Sequence, residues 1–137
     1  MRDAIAGLPE AANYTLMVKP LRYRTQPRLS GLTEFEMRTI TCQIPEPFYP
    51  FGDVVVYGST RLAAKGMKFV PLSEGITFRT RAEVVRFLYC HEWYHWYLWE
   101  HLGKRSFGET ACDRFAVRNW HRRTVTFDDA AAALRRR

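Results

Sequence analysis

Residues 80 to 103 constrain the fold more than any other stretch, because they read as one uninterrupted helix with a marked start and stop. Thr80 followed by Glu83 is the reciprocal pattern of a capping box, in which a hydroxyl and a carboxylate each satisfy a backbone N–H at a helix N-terminus. Val84, Leu88, His91, His95, Leu98 and Leu102 then recur at steps of four and three, one stripe along the helix. Gly103 closes the segment as a C-cap. Both histidines therefore point where the apolar core points.

A second capping box, Ser106 with Glu109, opens the next helix, with Phe107, Ala111, Phe115, Ala116 and Trp120 as its apolar positions. So short a connection favours antiparallel neighbours, which returns residues 109 to 116 to the level of residues 91 to 95. Ahead of the helices the pattern is β-like. Apolar and polar residues nearly alternate from Thr33 to Ile44, with a phase slip that predicts a bulge near Arg38 or Thr39. PEPFYPFG at 45 to 52 reads as a loop and Asp53 to Tyr57 as a strand. Met67 to Leu72 and Gly75 to Phe78 read as a hairpin around the turn-prone SEG at 73 to 75. The expected fold class is α+β: a small, mostly antiparallel twisted sheet packed on the histidine-bearing helix and the helix after it.

Within a single domain over 1–137, residues 1–30 read as an irregular arm with three prolines and a short helix near Pro9 to Tyr14. Residues 31–120 form the core unit and residues 121–137 a basic tail whose DDAAAALRRR end is frayed or weakly helical. With 47% hydrophobic residues, the chain has the material for a packed core without staples. Cys42, Cys90 and Cys112 make an odd set without a CxxC pair, which predicts a reducing, cytoplasmic setting and no disulfide framework. The N-terminus lacks the unbroken apolar run of an export signal, and Arg86, Glu92 and Glu100 interrupt the longest apolar stretch, so no membrane span is expected. A formal charge of +7, with nine of the twenty-one basic residues after residue 100, allows a nucleic acid partner or simply a solvated basic surface.

The chemistry concentrates in HEWYH, residues 91 to 95. Histidines at i and i+4 place two imidazoles about one turn apart on one side of a helix, a spacing from which both can hold one zinc ion. Glu92 sits about 100° round from His91, where it is no ligand but can reach a water at the metal as a general base. The bland alternative is a core helix whose histidines bond to neighbours. For a third ligand His101 stands six residues after His95, but Leu98 occupies the position where a helix-breaking glycine would be needed, and in an unbroken helix His101 points away. Glu109 is the stronger candidate. Asp113, one turn on, can accept the free ring N–H of a ligating histidine, while the competing role for Glu109 is the capping box with Ser106.

HEWYH followed by ETACD resembles the gluzincin pattern HExxH…ExxxD, and GETACDRFA is similar to the ending found in ImmA/IrrE-type peptidases; the compact scale also resembles SprT-like proteases. The likeness covers roughly residues 75 to 120. It implies His91, His95 and Glu109 as zinc ligands, Glu92 as general base and Asp113 as the orienting carboxylate. Trp93, Tyr94, Trp96 and Tyr97 depart from it, being bulky where smaller residues are usual.

The expected function is that of a zinc-dependent metalloprotease acting on a protein or peptide substrate, with a second electrophile for the developing oxyanion among Tyr57, Tyr94, Arg118 and His121. Substrate strands could add along an exposed edge of Thr33 to Ile44 or Met67 to Phe78. Trp93, Trp96 and Trp99 read as core packing ahead of a substrate wall. The alternative function is a basic nucleic-acid-binding protein with a structural or vestigial zinc site.

Overall fold

A computed structural model describes residues 2–62, 68–104 and 108–135. It is an α+β fold with two small sheets and three helices. The three-stranded sheet has the order β1 (Thr15–Arg22), β3 (Thr39–Glu46), β2 (Ser30–Glu34). β1 runs parallel to β3, and β2 antiparallel to it. The central strand, TITCQIPE, is buried at five of its eight positions, as expected of a strand flanked on both edges and covered by a helix.

Residues 1–30 are thus not the irregular arm that their prolines suggest. Thr15–Arg22 joins the sheet because its partner β3 lies far along the chain, a non-local pairing with no local signature. A 3-10 turn at Arg2–Ile5 replaces the expected helix at Pro9 to Tyr14. The phase slip near Arg38 is likewise not a bulge but a chain reversal: β2 ends at Glu34, β3 begins at Thr39, and Arg38 takes a left-handed φ of 54° in the turn. Around such a turn the buried phase restarts, which in sequence is indistinguishable from a slip.

β4 (Phe51–Leu62) and β5 (Lys68–Phe78) form the second, two-stranded antiparallel sheet. Ser73, Glu74 and Gly75 pair with Val56, Val55 and Val54, so the expected SEG turn is strand interior. A long partner ladder outweighs local turn preference here. Met67 lies outside the described residues.

α1 (Arg81–Trp96) starts with the capping box read from sequence, Glu83 N–H donating to Thr80 Oγ1 at 3.2 Å and Thr80 N–H to Glu83 Oε1 at 3.1 Å. It continues as a wider π-helical turn at Tyr97–His101 and stops at Leu102, after which Gly103 adopts φ 65°, a left-handed geometry suited to glycine. α1 is buried on nearly all sides, not along one stripe. Its back face is covered by the N-terminal segment: the indoles of Trp93 and Trp96 donate to the carbonyls of Glu10 (3.0 Å) and Ala12 (3.2 Å), and the Tyr89 hydroxyl to Pro9 (2.7 Å). Arg86 ties the same helix to the carbonyls of Ala4, Ala6, Trp120 and Arg122.

α2 (Glu109–Asn119) follows with Gly108 as its N-cap, which makes Glu109 the first helical residue and not the capping partner expected of it. Ser106 and Phe107 lie outside the described residues. The tail is helical over 127–132, the second of the two expectations for it: α3 (Phe127–Ala132) has its own capping box, Thr126 with Asp129, and packs through Ala130, whose carbonyl accepts from the Tyr94 hydroxyl at 2.8 Å. One apolar cluster runs from Ala4 to Ala133 and includes Ile40, Phe78, Trp93 and Phe115. Among the described residues no helix is long and apolar enough to cross a membrane.

Candidate metal centre

α1 and α2 pack side by side, and their packing brings the sequence motifs together. His91 and His95, one turn apart on α1, face α2 with their ring centroids 5.2 Å apart. Glu109 reaches both: one carboxylate oxygen lies 2.8 Å from His95 Nε2, the other 3.1 Å from His91 Nε2. One turn further, Asp113 Oδ1 lies 2.8 Å from His91 Nδ1. That contact, with the one from Nε2 to Glu109, holds the His91 ring in a fixed orientation between the two carboxylates of α2.

Charge is concentrated here. Burial opposes a charged ring at His91, but the Asp113 hydrogen bond and the negative charges of Glu92, Asp113 and Glu109 outweigh it, so the His91 pKa stands above its ordinary value. The surroundings attract positive charge. Glu92, next to His91, is buried, and burial raises its pKa against the opposing pull of His91, the Thr33 hydroxyl and His95. Its Oε2 is 3.8 Å from His91 Nε2, and its Oε1 accepts from Thr33 Oγ1 at 2.8 Å. β2 therefore orients the carboxylate from across the site.

Cys112, expected from sequence only as one of three free cysteines, also lies beside the histidines. Among the described residues, His91, His95 and Cys112 bring ligand atoms within 4.8 Å of one another, a group that could hold a metal ion. Its thiol is fully buried, and burial, followed by the charges of Glu109, Glu92 and Asp113, drives its pKa far above the ordinary range.

A cavity of about 500 Å³ opens on the two histidines, Glu92 and Glu109, lined elsewhere by Gly31, Leu32, Thr33, Phe35, Leu98, Trp99 and Lys104. Tyr57, Tyr94, Arg118 and His121 are not part of this lining. The Tyr94 hydroxyl is spent on Ala130, Arg118 donates to the carbonyls of Ala132 and Arg135, and His121 lies edge-on to Trp120. His101, at the end of the π-helical turn, is not in the cavity lining and is instead stacked on Tyr97 and edge-on to Phe127. Trp93, Tyr94, Trp96 and Tyr97 stay out of the cavity as well, because they occupy the back of α1. Trp99, read from sequence as core, lines it.

Gly31 had no signal in the sequence, because the expected strand begins only at Thr33 and β2 extends back to Ser30. Compared with known proteins, the chain matches no family model, no curated protein and no solved structure.

Proposed function

We propose that this chain is a zinc-dependent metallopeptidase of compact, zincin-like design, hydrolysing peptide bonds with Glu92 as general base. The observation that carries the reading is the Glu109 carboxylate, which touches both Nε2 atoms, at 2.8 and 3.1 Å, from the neighbouring helix. Two imidazoles and a carboxylate are the donor set of a catalytic zinc that keeps one position open. The fit is supported by Asp113, which holds the His91 ring through Nδ1 with Nε2 turned towards Glu109. When bound, zinc supplies the Lewis acidity that polarises a carbonyl and makes water a nucleophile near neutral pH.

The remaining work falls to side chains of the protein. Glu92 takes the proton from the attacking water and returns it to the leaving amine, and Thr33 keeps its carboxylate aimed. β2 pairs on one edge with β3, and its other edge can receive an extended peptide chain above α1.

Cys112 competes with Glu109 for the third ligand position, since a two-histidine, one-cysteine set also holds zinc. Glu109 is favoured because its carboxylate already meets both rings. The Cys112 thiol is held protonated by burial and by three carboxylates.

The nucleic-acid alternative rests on net charge, and four of the twenty-one basic residues have structural work. Arg86, Arg114, Arg118 and Arg122 all donate to carbonyls or carboxylates of the protein itself. A cytoplasmic, reducing setting suits the three cysteines, which are all free and buried.

The test is elemental analysis joined to cleavage of an unfolded protein substrate. One zinc per chain is expected, with Glu92→Gln keeping the zinc while losing about 10²- to 10⁴-fold in rate. Failure to bind zinc after reconstitution, or an unchanged rate in Glu92→Gln, removes the reading.

A further inference from the structure

The cavity over the histidines is chemically divided. One part is the polar group His91, Glu92, His95 and Glu109; the other is Leu32, Phe35, Leu98 and Trp99, with Lys104. Leu98 and Trp99 lie one helical turn past His95, about 6 Å along the axis. They belong to the π-helical turn Tyr97–His101, a rare irregularity that often marks functional positions. Phe35 and Trp99 stack with centroids 4.2 Å apart and planes 12° off parallel, joining the β2–β3 turn to the end of α1. Leu32 is 53% exposed over the same space, an apolar side chain left in solvent at the opening.

A second cavity, of about 470 Å³, shares Gly31, His91 and Glu92 with the first and continues along β2 towards Asp53, Val54 and Val56 of β4. Two cavities therefore adjoin Glu92, one with Lys104 and the aromatic side chains in its lining and the other with Asp53.

We propose, resting on the peptidase reading, that the Leu32–Phe35–Leu98–Trp99 part is the specificity pocket, and that it takes a large apolar, preferentially aromatic, substrate side chain beside the bond to be cleaved. Its occupant is a segment of polypeptide lying along β2, with an acidic residue next to the aromatic one facing Lys104. Three features support this occupant: the apolar and aromatic lining, the volume beyond the polar group and the opposite charges of Lys104 and Asp53 in the two adjoining cavities. Burying one aromatic side chain accounts for a preference of about tenfold or more over alanine.

The experiment measures binding separately from cleavage. Zinc-loaded Glu92→Gln protein is titrated with fluorescent octapeptides that differ only in carrying Phe or Ala at one position, with Asp or Lys beside it. The Phe–Asp peptide is expected to bind at least tenfold tighter than Ala–Asp, and more tightly than Phe–Lys. Trp99→Ala should erase the first difference without changing zinc content, Trp99→Phe should keep it, and Lys104→Glu should reverse the second. If Trp99→Ala does not fold, Leu32→Ala, at an exposed position, reports on the same pocket. Equal affinity for the Phe and Ala peptides, or a difference indifferent to both Trp99→Ala and Leu32→Ala, overturns the pocket even where the wild-type chain cleaves both peptides. A retained difference in a wild-type chain that cleaves nothing overturns the peptidase reading and leaves the pocket standing.

Discussion

The backbone of Gly31 lies against the carboxylate of Glu92: a Cβ at position 31 would fall 3.0 Å from Glu92 Oε2 and 3.2 Å from its Cγ. The Thr41 carbonyl, at 3.3 Å, bounds the same point from the neighbouring strand. Any side chain at 31 therefore presses on the proposed general base. Gly31→Ala is expected to shift Glu92 by a few tenths of an ångström and to lower kcat about tenfold or more with zinc content unchanged, since small misplacements of a reacting group are costly. Gly31→Val should do more. A Gly31→Ala enzyme with wild-type kcat would show that Glu92 tolerates displacement.

Glu109 and Cys112 are separated by a paired substitution. Glu109→Ala should weaken zinc binding by well over tenfold, measured by competition with a chromogenic chelator, because it removes the group touching both imidazoles. Cys112→Ala should retain zinc and cost stability instead, since a fully buried side chain is truncated. The reverse pattern assigns the third position to the cysteine.

Asp113→Asn tests the orienting carboxylate. An amide can still accept from His91 Nδ1 but carries no charge, and the loss in zinc affinity is expected at about 10- to 100-fold. An unchanged affinity would place Asp113 outside the centre.

The end of the chain should carry an acid-sensitive contribution to stability. Burial works against the Asp129 carboxylate, but the Thr126 backbone N–H and the Arg122 guanidinium, 2.6 Å away, outweigh it and hold its pKa below the ordinary 3.8. Folding then favours the ionised form, so the contribution is complete above pH 3.8 and fades as pH falls from there through the depressed value. In thermal melts between pH 6 and pH 2, Asp129→Asn should show a weaker loss of stability over that acid range than the wild type. Thr126→Ala, which removes the other half of the capping box, should cost about 1 kcal/mol at neutral pH.

Trp93 is fully buried among Trp96, Tyr97, Phe115 and Phe127, and its indole donates to the Glu10 carbonyl. Trp93→Ala is expected to cost about 3–5 kcal/mol in chemical denaturation, and Trp93→Phe much less. Equal and small effects would mean that the N-terminal segment does not anchor on α1.

What the residues alone determined is whatever depends on neighbours a few positions away. The Thr80–Glu83 box, the i, i+4 histidines, the Gly103 stop and the Glu109–Asp113 pair are all set by helix geometry, whose hydrogen bonds and side-chain contacts close within one turn. Tertiary structure decided the rest because its contacts are distant in sequence. β1 pairs with a strand more than twenty residues on, Thr33 reaches Glu92 across 59 positions, and residues 9 to 12 cover aromatic side chains of α1 80 to 84 positions away. Turn chemistry at 73 to 75 was overruled by the β4 ladder, and Trp99 was turned from apparent core into a cavity wall beside Phe35. No local period records such meetings, since burying apolar surface and filling unpaired backbone groups are decided by whichever segment arrives.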